Sequence, residues 1–137
     1  MPRIMLVANQ TLGGQHLLDV LQERAKAGDV QVHVVVPAST DPRSASSSEE
    51  LEQEQAQERL ASALKRFADA GVTADGEIGD SRPIEAIGDV LRREEFDEII
   101  LSTLPPRASK WLRMDLPHRV ERAFPGRVTH VVADPEA

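Results

Sequence analysis

The sequence predicts an α/β domain: a single doubly wound parallel sheet of five strands, with four helices distributed over both faces. Three observations carry this. Short apolar runs without alternation (Arg3–Ala8, Val30–Val36, Ile99–Leu101 and Val128–Ala133) read as strands buried on both faces. Amphipathic stretches of helical period separate them, and Gly or Pro punctuates most of the junctions. Strands that alternate with helices imply parallel pairing through right-handed crossovers. No repeat or second domain is visible, so residues 1–137 form one unit, which buries about two-thirds of the surface of its unfolded chain.

In order, Arg3–Ala8 is a buried strand that ends in the turn Asn9-Gln10-Thr11-Leu12-Gly13-Gly14. The helix after it aligns Leu17, Leu18, Leu21 and Ala25, and Gly28 is expected to close it in a left-handed conformation. Val30–Val36 is the second strand, stopped by Pro37. Pro37–Ser48 is rich in Pro, Ser and Thr and long for a connection, either a lid or slack. Ser47 and Glu50 have capping-box spacing for a helix that turns Leu51, Ala56, Leu60, Leu64 and Phe67 inward and ends at Gly71. Val72–Ile78 is a more polar strand broken by Gly76, as suits a sheet edge. Gly79-Asp80-Ser81-Arg82-Pro83 opens a helix with Ile84, Ile87, Val90 and Leu91 on one side.

The strand Asp97–Thr103 is the centre of the sheet, and the double proline Pro105-Pro106 ends it. In open α/β sheets ligands bind at the carboxyl ends of strands, where the strand order reverses. The side chains delivered there are Ser102, Thr103, Arg107, Ser109 and Lys110, which makes them the candidate binding residues. Trp111, Leu112 and Met114 suggest one packed turn, with Trp111 holding the loop down. Asp115 then stands as N-cap, and Pro117 in the first turn, of a helix carrying Val120, Ala123 and Phe124.

Charge and composition exclude several classes. A net charge of −7 opposes non-specific nucleic-acid binding, which depends on neutralising phosphates. From Arg107 to Arg127, six basic residues (Arg107, Lys110, Arg113, Arg119, Arg122, Arg127) face Asp115 and Glu121; this +4 leaves −11 on the rest. Such a basic quarter suits a small anion, although a solvated helix face explains most of it. Cysteine is absent, so there is no disulfide or thiolate metal site. The apolar run Ile4–Ala8 is too short for a leader or a membrane span, and a cytoplasmic protein is expected.

Among doubly wound domains, a phospho-accepting receiver needs carboxylates where Asn9 and Gln10 stand. A flavodoxin needs aromatic residues, and here there is one Trp and no Tyr. No Gly-x-Gly-x-x-Gly, Walker loop or Ser-His-Asp order is present. The histidines at 16, 33, 118 and 130 share no metal-ligand spacing, and no catalytic constellation is visible, so the chain is not read as an enzyme.

Gly79-Asp80-Ser81-Arg82-Pro83-Ile84-Glu85-Ala86-Ile87, followed by Asp97-Glu98-Ile99-Ile100-Leu101, resembles the universal stress protein family. Val32-His33-Val34-Val35-Val36-Pro37, Arg119–Pro125 and Val128–Val132 resemble its second strand, last helix and last strand. The resemblance spans essentially the whole chain. It implies an adenine-nucleotide α-hydrolase-like sheet of order 3-2-1-4-5, with the switch point between Ala8-Asn9 and Ser102-Thr103. It also implies adenosine contacts near Ala8, Asn9, Gln10 and Val36.

The family's ATP motif is degenerate. Where ATP-binding members carry Gly-x-x-Gly and, further on, Gly-Ser or Gly-Thr, this chain reads Ser102-Thr103-Leu104-Pro105-Pro106-Arg107-Ala108-Ser109 and then Met114-Asp115. The prolines lack amide donors for phosphates. Asp115 is expected to place a carboxylate on the helix N-terminus, where a phosphate would sit. The family's first-strand Asp is Asn9. Two readings follow. One is a binding or signalling module for a small adenine-type ligand (AMP or adenosine ahead of ATP) or another anion held by Arg107 and Lys110. The other is a ligand-free interaction domain that forms a homodimer through its C-terminal strand.

Overall fold

The computed structural model describes residues 2–9, 11–37, 46–105 and 110–132; the side chains of 46–52, 110 and 113 lie outside the description, as do residues 10, 106–109 and most of the Pro37–Ser48 loop. Five strands, β1 (Arg3–Val7), β2 (Gln31–Pro37), β3 (Thr73–Gly79), β4 (Glu98–Thr103) and β5 (Arg127–Val132), form one sheet in the order β3-β2-β1-β4-β5. Every pairing is parallel. The helices are α1 (Gln15–Lys26), α2 (Ser46–Asp69), α3 (Pro83–Leu91), the single turn α4 (Lys110–Arg113) and α5 (Leu116–Ala123). Among the described residues no helix is long and apolar enough to cross a membrane.

The sheet is buried on both faces because successive strand residues point to opposite sides. Leu6, Val34 and Ile100 meet α1 and α2, through Leu17, Leu21 and Phe67. Val7, Val35 and Leu101 meet α3 and α5, through Ile87, Val90 and Val120. All six residues of β4 are buried, as a place inside the sheet between β1 and β5 demands, although the middle strand is β1 and not β4.

Helix α2 ends in a Schellman motif. Gly71 adopts φ 85°, its N–H donates to the Ala68 carbonyl (3.0 Å), and the Val72 N–H donates to the Phe67 carbonyl (2.8 Å). Gly76 has a packing reason: a Cβ there would lie 2.9 Å from the Val34 carbonyl oxygen and 2.8 Å from Leu60 of α2. The glycine that makes β3 read as irregular is what lets α2 sit close on the sheet.

Three expectations are corrected. Gly28 has φ 156°, a positive angle that L side chains rarely adopt but far from the αL value expected after α1. Pro37 does not stop β2 but is its last paired residue, opposite Gly79. Asp115 occupies the N-cap position of α5 yet makes no side-chain cap bond. Its backbone is left-handed (φ 57°, ψ 38°), which turns the carboxylate away from the helix end, and one amide it would bind belongs to Pro117, which has no N–H. The carboxylate instead accepts from His118 Nδ1 at 2.7 Å.

Candidate functional site

The sheet order reverses between β1 and β4, and in open α/β sheets the ligand crevice lies beyond the carboxyl ends of the strands at such a point. The structure brings together five of the candidate residues there: Ala8, Asn9, Val36, Ser102 and Thr103, all buried. Gln10, Arg107 and Ser109 lie outside the described residues; Lys110 opens α4, with its side chain also outside. Ala8 and Val36 turn their side chains into the core beneath α1 and α2, so only their backbone is available to a ligand.

Asn9 bridges the ends of two strands. Its Nδ2 donates to the Pro37 carbonyl at 2.8 Å, and its Oδ1 accepts from Arg59 Nη1 of α2. On the other side of the crevice the hydroxyls of Thr11 and Ser102 share a hydrogen at 2.6 Å, tying the β1–α1 turn to β4. Thr103 Oγ1 lies 2.8 Å from His130 Nε2 of β5. Partial burial lowers the His130 pKa, which favours the neutral imidazole beside Thr103. A second cation follows Arg59: Arg66 Nη1 donates to the Gly13 carbonyl in the same turn.

These cations are what the reading of the sequence missed. Arg59 and Arg66 were assigned no role, yet Ala56, Arg59, Ala63 and Arg66 recur at the three- and four-residue spacing of one helix face. Ala56 and Ala63 are buried, so this face of α2 packs against the protein and carries the two arginines with it. The predicted basic residues Arg119 and Arg122 are exposed on α5, as a solvated face would be. Trp111 is partly buried and packs against the core that α3 and α5 cover.

Two other polar clusters lie elsewhere. Buried Glu98, at the amino end of β4, accepts from Arg24 Nε and Nη2 (each 3.0 Å) and from Thr129 Oγ1 (2.6 Å). Burial works against its charge, but these donors outweigh it and hold the carboxyl below its ordinary pKa. His33 of β2 lies between two carboxylates of β3, with Asp75 Oδ1 2.8 Å from Nδ1 and Glu77 Oε1 2.8 Å from Nε2. Both ring nitrogens face acceptors, which the doubly protonated imidazolium satisfies.

No protein-family model matches the sequence, and no curated protein matches it with significance. Solved structures do match. The chain is similar to a universal stress protein family member from Burkholderia pseudomallei (18% identity, 94% of each chain covered, TM-score 0.62). It is similar to a universal stress protein family protein from Arabidopsis thaliana solved with AMP bound (11% identity, 99% of this chain and 94% of that one, TM-score 0.64). It is also similar to the universal stress protein from Archaeoglobus fulgidus in complex with dAMP (16% identity, 96% of this chain and 97% of that one, TM-score 0.58). Together with the observed sheet order, these likenesses show that the chain has the universal stress protein fold.

Proposed function

We infer that the protein is a small-molecule binding module that takes an adenine-type ligand, AMP or adenosine, in the crevice between β1 and β4. The observation that carries this is the set of buried polar side chains, Asn9, Thr11, Ser102 and Thr103, gathered at the switch point. These groups are held in place by one another and by Pro37, Arg59 and His130, and ligand sites of open α/β sheets lie at this place. Two structures of the same fold are described as holding AMP and dAMP, which supports an adenine nucleotide as the class. The residues fit a nucleoside better than a triphosphate, since Pro105 contributes no amide donor at the end of β4. Titration calorimetry with adenosine, AMP and ATP tests this. Adenosine or AMP should bind with a Kd below about 1 mM, a free energy of roughly −4 kcal/mol, and ATP no tighter than AMP. Absence of binding by a folded sample removes the reading.

A second reading, a homodimer paired along β5, is favoured by the two sheet edges. The β3 edge carries Asp75 and Glu77, charges that discourage strand addition. Strand β5 pairs only with β4 and leaves Val132 43% exposed. Light scattering decides it.

A further inference from the structure

The crevice contains a feature that an adenosine site does not need. Two guanidinium groups reach it from α2, and both rest on neutral oxygens: Arg59 on the side-chain amide of Asn9, Arg66 on the carbonyl of Gly13. Among the described residues neither makes an ion pair with a carboxylate. The other arginines with described side chains differ in this respect: Arg3, Arg24, Arg82, Arg92, Arg93 and Arg127 each reach one, and only Arg119 and Arg122, out on α5, do not. Arg59 is partly buried and lies against a buried side chain at the end of β1. An arginine held there by an amide oxygen keeps four of its five N–H donors for another acceptor. The two arginines are seven positions apart on one helix face, about 10 Å along its axis. Gly13, on which Arg66 rests, directly precedes Gly14, the N-cap of α1, so the amino end of that helix adds to the positive potential there.

We propose that Arg59, with Arg66 behind it, forms a phosphate subsite on the α2 side of the crevice, so that the ligand's phosphate points toward the β1–α1 turn and not toward the loop after β4. The proposal rests on the adenine-ligand reading above and adds a direction and a residue to it. Chemically, the phosphate oxygens replace the Asn9 amide oxygen as partner of Arg59. A guanidinium exchanges a neutral acceptor for an anionic one, and charge-assisted bonds of this kind are about twice as strong. Asn9 keeps its bond to Pro37. The substitutions in the loop after β4 are consistent with this, because a phosphate held from α2 does not need glycine backbone there.

The test is calorimetry with adenosine and AMP on the wild type and on Arg59→Gln, Arg59→Lys and Arg66→Gln, with circular dichroism to confirm that each is folded. Gln preserves a donor for Asn9 and removes the charge; Lys preserves the charge. Wild type should bind AMP about ten-fold more tightly than adenosine, and the difference should shrink with added salt. Arg59→Gln should abolish that preference by weakening AMP far more than adenosine, and Arg59→Lys should restore part of it. Arg66→Gln should reduce it by a smaller factor. An AMP preference that survives Arg59→Gln overturns the subsite but leaves the adenosine site standing. Equal loss of adenosine and AMP in Arg59→Gln overturns it too, since Arg59 would then only shape the crevice. If neither compound binds the wild type, the adenine reading fails and the subsite falls with it.

Discussion

Asp115 shows how one backbone angle changes what a residue does. As an N-cap it would satisfy an orphan amide; in the left-handed region it cannot, and its carboxylate turns to exposed His118. Non-glycine residues meet a steric penalty in that region, roughly 1–2 kcal/mol, and Asp tolerates it better than most. Asp115→Gly should therefore raise stability by about 0.5–1 kcal/mol, and Asp115→Ser should lower it slightly; the reverse order in chemical denaturation would restore the capping role. The spacing Asp115-Leu116-Pro117 identified where α5 begins, because Pro belongs in a first turn. It did not reveal the φ of the residue before, which is set by the sharp junction between α4 and α5. Arg59 was illegible for a related reason. A charge on an otherwise acidic helix reads as solvated, and only the docking of α2 turns it toward Asn9.

At the scale of an element, β3 is an edge strand whose hold on β2 is partly electrostatic. His33 joins Asp75 and Glu77, and Arg93 of the segment after α3 donates to Glu77 as well. Burial disfavours the His33 cation, but its bonds to Asp75 and Glu77 outweigh that and raise its pKa above the ordinary 6.5. Burial likewise opposes the Glu77 charge, and the donors His33 and Arg93 overcome it, lowering its pKa below the ordinary 4.5. The signs define a window. The His33 contribution is complete below 6.5 and is lost as pH rises through the raised value; the Glu77 contribution is complete above 4.5 and is lost as pH falls through the lowered one. The stability difference between wild type and His33→Gln should therefore be largest between about 4.5 and 6.5 and shrink on the alkaline side. Denaturant titrations at several pH values measure this, and a difference that grows above neutrality would contradict the clamp. The strand itself was legible, and so was its place at the edge. The clamp was not, because His33, Asp75 and Glu77 meet only through strand register, with His33 opposite Asp75.

For the whole molecule, periodicity and punctuation made the five strands, their parallel sense and the helices between them readable from residues alone. Periodicity does not contain the order of strands; that came with the family likeness of segments such as Gly79–Ile87, and the observed order agrees. Apolar runs report burial and not neighbours, so the switch point could be located while the contacts around it, Asn9 to Pro37 and Thr11 to Ser102, could not. Assembly belongs to this scale too. If two copies pair along β5, Val132→Lys should shift the light-scattering mass from dimer to monomer while leaving the fold intact. A monomer at every concentration in the wild type would discard the dimer.

The sheet order also divides the chain into two consecutive pieces. Everything up to Arg93 builds β1–β3 and α1–α3, and everything after Phe96 builds β4, β5, α4 and α5. The strands of the two pieces are joined along a single ladder, Ile4–Val7 against Glu98–Leu101. That seam has a different lock at each end: Arg24 on Glu98 at the amino end, and the Thr11–Ser102 hydroxyl pair at the carboxyl end. A chain cut between α3 and β4 thus yields fragments that carry complementary labels, one ionic and one neutral. Their reassembly would be sensitive to acid through Glu98, and the crevice would exist only once the two halves had found each other. The protein is in this sense a natural candidate for a split reporter in which the switch point between β1 and β4 is itself the product of reconstitution.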